Sequence, residues 1–160
     1  MFVKTVELRH EGGMRFVART GSGHDLVMDD RSGDTGPGPV EVLAAALAAC
    51  TAMDVVSIAG KKRQRIGRYE VHVRAEQRAE YPQVYTDIDL LHEVEGPEVD
   101  RDAIRRCIEL SAEKYCPISA MLSAGDTRVH HRYRVVRPGA APQEGEVMVT
   151  GPYRRPDVLP

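Results

Sequence analysis

Three cysteines and one aspartate carry the chemistry this sequence offers: Cys50, Cys107, Cys116 and Asp54. An odd number of cysteines without C-x-x-C spacing argues against both a disulfide framework and a structural zinc site. What remains is thiol chemistry, in which the thiolate reacts and its neighbours decide how readily it forms. Cys107 falls in an apolar stripe and reads as a small core hydrophobe. Cys116 precedes Pro117, which pushes it out of helical geometry and predicts it at the N-cap of a short helix. Free N–H groups and the positive dipole end there favour a thiolate. Cys50 lies mid-helix without such help. Asp54, four residues on, shares its helix face and opposes ionisation. A reactive Cys50 therefore requires a neighbouring arginine or lysine, and without one it is an inert hydrophobe. His130 and His131 fall on a predicted strand and His24 at the edge of one, and all three read as core or surface residues. Residues 130 and 131 face opposite ways, so they cannot line one site together. A zinc site from Cys50, Cys116 and a histidine has no spacing motif behind it.

The element that must position Cys50 is a long helix. Gly36-Pro-Gly-Pro39 is a turn, with Pro39 suited to the first helical position. Val40 to Ala59 contains no proline or glycine and is rich in alanine. Gly60 is predicted to end the helix, and Lys61, Lys62 and Arg63 complement its negative dipole end. A helix of about 20 residues spans ~30 Å. Being apolar around its circumference, it needs covering on more than one side, so a homodimer packed on these helices is expected.

Around it the chain alternates. Strands are expected at Phe2–Arg9, Met14–Thr20 and Asp25–Met28, followed by an acidic loop from Asp29 to Gly38. A long hairpin (Tyr69–Arg78, Gln83–Val94) leads to an amphipathic helix from Asp100 to about Tyr115. A short helix (Pro117–Gly125) and a last strand (Val129–Val136) follow. The order implies an α+β domain over residues 1–136, a largely antiparallel sheet packed on two long helices. Residues 137–160, rich in proline and glycine, are expected to be a tail, flexible unless a partner surface holds it. At 160 residues and a net charge of −2, one domain is implied, with no electrostatic case for nucleic acid or an anionic membrane. No charge-free apolar stretch of about 18 residues suggests a membrane span. Charges near the N-terminus argue against a signal peptide, so a cytoplasmic location is expected.

The run Gly36-Pro-Gly-Pro-Val-Glu-Val-Leu-Ala-Ala-Ala-Leu-Ala-Ala-Cys50-Thr-Ala-Met-Asp54, followed by Ser111-Ala-Glu-Lys-Tyr-Cys116-Pro117-Ile-Ser119, resembles the OsmC/Ohr family of osmotically inducible and organic hydroperoxide resistance proteins. The resemblance reaches from the first strands to about Val136 and lies nearer a less-studied branch than the two founding types. It implies the OsmC-like fold as an intertwined homodimer with two active sites at the subunit interface. It also implies a thiol peroxidase that needs no metal or organic cofactor. Cys50 matches the cysteine that attacks the peroxide and becomes a sulfenic acid, and Cys116 matches the one that resolves it to a disulfide. A small thiol or lipoyl-type dithiol then reduces the bond.

Two departures qualify the likeness. The family's activating arginine is matched by Arg31, 19 residues before Cys50, with Arg15 and Arg19 as other candidates. Where the family has a glutamate at the helix start this chain has Val40, and Glu41 falls on the opposite helix face from Cys50. Two other readings stay open. One is a stress-associated protein that binds a small apolar ligand or senses redox state. The other is a hydrolase or transferase with Cys50 as nucleophile, for which no base is recognisable.

Overall fold

The structure, a computed structural model, describes residues 1–150. The chain forms two compact units, residues 1–44 and 45 onward, and the division falls within its first helix.

In the first unit β1 (Val6–His10), β2 (Phe16–Thr20) and β3 (Asp25–Met28) form an antiparallel meander, with Leu8 opposite Ala18 and Val17 opposite Val27. Val17 and Ala18 are its buried apolar side chains. The loop to α1 (Pro39–Lys61) is organised by buried Asp29, whose carboxylate accepts hydrogen bonds from the Thr35 hydroxyl and the Asp30 N–H. Those bonds, the Thr35 one foremost, hold the Asp29 carboxyl below its usual range. Glu41 reaches back to accept the Gly38 N–H at 2.8 Å, half of a capping box. The acid that the sequence places off the Cys50 face therefore serves the start of its own helix.

α1 runs past its predicted stop. Gly60 is helical, and Arg63 takes the left-handed conformation at φ +56°. The Gln64 N–H reaches the Ala59 carbonyl at 2.9 Å and the Arg63 N–H the Gly60 carbonyl at 3.0 Å. This is a Schellman end with arginine in the usual glycine position. By length and composition alone α1 is apolar enough to cross a membrane, a measure that the central helix of a soluble protein meets as well.

In the second unit β4 (Arg68–Gln77) and β5 (Tyr85–Glu95) form the expected hairpin. The chain then runs through α2 (Arg101–Leu110), a π-helical turn (Ser111–Tyr115) and α3 (Pro117–Ser123) to β6 (Arg128–Val136). β6 lies parallel to β5, with Leu90 beside His131 and His92 beside Tyr133. The sheet is therefore not antiparallel throughout, because the helical return between β5 and β6 is the crossover that parallel pairing requires. The second helix is also shorter than expected as an α-helix, giving way to the π turn at Ser111. β7 (Gln143–Thr150) then pairs antiparallel with β6, giving the order β4-β5-β6-β7. The sequence places residues 143–150 in a tail, yet they add a strand; residues 151–160 of that tail lie outside the described residues.

Alternation sorts the sheet's two faces. Ile88, Leu90, His92 and Val94 of β5 and Val129, His131, Tyr133 and Val135 of β6 are buried. Val55, Ala59, Val99, Ile104, Cys107 and Ile108 pack with Val94, Tyr133 and Val135 into the core. Asp87, Asp89 and Glu93, between the buried residues of β5, pair with Arg128, Arg132 and Arg134 of β6. α2 begins at Asp100, whose carboxylate accepts the Ala103 N–H at 2.8 Å.

Candidate active site

The second unit brings together side chains from three helical segments: Cys50, Thr51 and Asp54 from α1, Ser111 from the π turn, and Cys116 from the start of α3. Asp54 lies on the helix face of Cys50, four residues before it, and of Thr51, three before it, because helical neighbours recur at three to four residues. The π turn hydrogen-bonds the Cys116 N–H to the Ser111 carbonyl at 2.9 Å, one residue wider than an α-helical bond. That wider turn carries the chain to the extended backbone of Cys116 (φ −77°, ψ 103°), as the following proline requires.

Cys116 stands at the N-cap of α3, as its sequence position predicts, and its Sγ accepts the Ser119 N–H at 3.3 Å. The Thr51 hydroxyl donates to the same sulfur at 3.7 Å. Cys116 is buried and Cys50 half-buried, and both thiols are free. The sulfurs of Cys50 and Cys116 and a carboxylate oxygen of Asp54 all lie within 4.8 Å of one another. Asp54 accepts a hydrogen bond from the Ser111 hydroxyl at 2.8 Å.

The electrostatics of Cys50 oppose a thiolate. Burial pushes its thiol up to about 12, assisted by the hydrogen bond to Cys116, by charge on Cys116 and by Asp54, while the Ile118 N–H pulls it back. None of these groups is a cation. Arg31 is exposed on the loop of the first unit. Arg15 pairs with Glu11 at 3.2 Å and with the Thr35 hydroxyl at 2.6 Å, and Arg19 pairs with Asp25 at 3.2 Å. Cys107 belongs to the core, and burial raises its thiol as well.

The third potential ligand beside the two sulfurs is Asp54 rather than a histidine. His24 lies exposed at a turn of the first unit, hydrogen-bonded to Ser22 at 3.1 Å. His130 and His131 do face opposite ways: the first is half-buried against Asp87 at 3.2 Å, the second fully buried. Thr51 and Ser111 are participants that reading the sequence did not single out. The signal for Ser111 was present, since a serine in an otherwise apolar stripe at 104, 107 and 108 must find a buried polar partner.

A family model described as OsmC-like protein matches residues 32–132, a span that contains both cysteines. The chain is 40% identical over 124 residues to Protein YhfA of Escherichia coli strain K12, covering 78% of this chain and 92% of that protein. A solved structure of a hypothetical protein from Aquifex aeolicus VF5 aligns with a TM-score of 0.77 at 26% identity, over 86% of this chain and 98% of that one. The organic hydroperoxide resistance protein OhrB of Bacillus subtilis shares the fold with a TM-score of 0.56 at 20% identity, over 84% and 98%. The mixed α+β architecture, the paired thiols and the matched span agree, and the chain belongs to the OsmC-like protein family.

Proposed function

We propose that the protein is a cysteine-based thiol peroxidase that reduces organic hydroperoxides in the cytoplasm as a homodimer. The observation that supports it is the approach of two sulfurs, remote along the chain, to within 4.8 Å, close enough for side-chain rotation to bring them into bonding contact. The Cys50 thiolate attacks the O–O bond, takes one oxygen to become a sulfenic acid, and the departing alkoxide leaves as the alcohol after gaining a proton. The Cys116 thiol then attacks the Cys50 sulfur, forming a disulfide and releasing water. A dithiol of the lipoyl class restores both thiols by exchange.

Cys50 needs a cation to form the attacking species, and Arg31 is the residue proposed to supply it. The homodimer reading draws on α1. Of its 23 residues the fully buried ones are Leu47, Thr51, Val55 and Ala59. Met53 and Val56 are 73% and 53% exposed, which leaves apolar surface for a second copy to cover.

The test is stopped-flow mixing of reduced protein with an organic hydroperoxide, followed by mass spectrometry. Prompt loss of two thiols with a Cys50–Cys116 bond supports the reading, and Cys116→Ser should trap sulfenic acid on Cys50. Arg31→Ala should slow the first step, and light scattering should give twice the chain mass. Stable thiols under excess peroxide refute the peroxidase. That result would favour a second reading, a protein that binds a small apolar ligand, in keeping with the Cys50 thiol held up at about 12 beside Asp54.

A further inference from the structure

Asp54 is an awkward neighbour for a peroxide-attacking sulfur, and it is not there loosely. The Ser111 hydroxyl fixes its carboxylate at 2.8 Å, and its oxygen lies within 4.8 Å of both sulfurs. A carboxylate held against two thiols repels negative charge on either one unless a cation stands between the three. Tetrahedral coordination with Zn–S bonds of about 2.3 Å separates two sulfurs by roughly 3.8 Å. The two sulfurs therefore need to close by about 1 Å or less from their upper bound, and the carboxylate oxygen by slightly more, within reach of side-chain rotation.

We propose that Cys50, Cys116 and Asp54 form a binding site for a soft divalent cation of the zinc class. Two thiolates and one carboxylate supply three of four tetrahedral positions, and solvent reaching half-buried Cys50 fills the fourth. Binding releases two thiol protons to solvent and involves no change of oxidation state. The Ser111 hydroxyl holds the carboxylate ligand, the part played by outer partners in metal sites. The remaining lone pairs of Cys116 meet the Ser119 N–H at 3.3 Å and the Thr51 hydroxyl at 3.7 Å, donors that stabilise a metal-bound thiolate.

The site is the same pair of sulfurs assigned above to peroxide reduction, so its role as a regulator rests on that reading, while binding itself does not. A sulfur engaged by the cation is withheld from peroxide, and a disulfide between the two withholds both from the cation.

The experiment uses the reduced full chain, without oxygen or peroxide. Zn2+ is titrated against a chromogenic chelator, and Co2+ is added in parallel as a spectroscopic probe. One Zn2+ per chain is expected, with thiolate-to-cobalt bands in the near ultraviolet. Cys50→Ser and Cys116→Ser should each weaken binding by more than about 100-fold, and Ser111→Ala by about 10-fold. Asp54→Asn should weaken it while retaining the thiolate bands. Native protein without thiolate bands, or Cys50→Ser binding as tightly as native, overturns the site even where a variant folds poorly, because the first readout needs no variant. Binding by a protein inert to hydroperoxide would refute the peroxidase and leave the metal site standing.

Discussion

Two imidazoles in the sheet of the second unit allow a quantitative test of the packing. His92 and His131 are both 0% exposed, stacked with ring centroids 6.1 Å apart. Burial drives His92 down to about 3, with charge on His131 a lesser cause, and drives His131 down to about 4, with His130 the lesser cause. The Tyr69 hydroxyl pairs with His92 Nδ1 at 2.7 Å, whereas His92 Nε2 and both nitrogens of His131 have no partner among the described residues. Below a pH of about 6.5 the unfolded chain binds protons on both rings that the folded chain refuses, so stability is present above that value and falls as pH drops. At pH 5, about 1.5 units lower, each ring costs about 2 kcal/mol and the pair about 4. Glu11, Asp87 and Glu93 are held low by their arginine partners, so their contribution persists until the pH falls towards the ordinary carboxylate range of about 4. The interval from pH 7.5 to 5 thus isolates the imidazoles. Urea unfolding at fixed chain concentration should show the drop, and a His92→Gln, His131→Gln double variant should lose most of it. A native protein whose stability changes by less than about 1 kcal/mol across that interval refutes the claim that both rings are buried and neutral.

Three further predictions concern single backbone positions. Arg63→Gly should stabilise by about 0.5 kcal/mol, since relief of the left-handed strain exceeds the added unfolded-state freedom; a lower melting temperature would count against the Schellman end. Gly96→Ala should cost about 2–3 kcal/mol, because a Cβ there collides with the Arg65 carbonyl and the Val99 side chain; unchanged urea unfolding would refute it. Asp100→Ala should cost about 1 kcal/mol by leaving the Ala103 N–H uncapped, and an unaltered unfolding midpoint would show that the bond contributes nothing.

The local parts of this structure were legible in the sequence. The proline before and the alanines within α1, the alternation of the β4–β5 hairpin and the Cys116–Pro117 break each follow from short-range sterics. The N-cap role of Cys116 followed from one proline, and Asp54 was placed on the Cys50 face by helical periodicity alone. Long-range choices were hidden. Nothing in β5 or β6 states that they run parallel, since each reads as an alternating strand and orientation is set by the path between them. β7 was obscured by Gly145, whose missing side chain leaves room for the Tyr133 ring, so a residue that reads as a breaker is there for packing. Gly60 looked like a helix end because glycine tolerates the left-handed region, yet α1 ends where its carbonyls find partners, at Arg63. The π turn after Ser111 was hidden too, because its hydrogen bond from the Cys116 N–H to the Ser111 carbonyl is one residue wider than any α-helical template anticipates.

The parallel alignment of β5 and β6 bears on when the sulfurs meet during synthesis. Cys116 rides on the segment that carries the chain back along the sheet, and that segment is anchored at its far end only when β6 takes its place. Closing so long an excursion costs entropy before any contact repays it, which makes it a late event. The approach of the two sulfurs, which the same helical return positions, is on this reasoning among the later contacts to form.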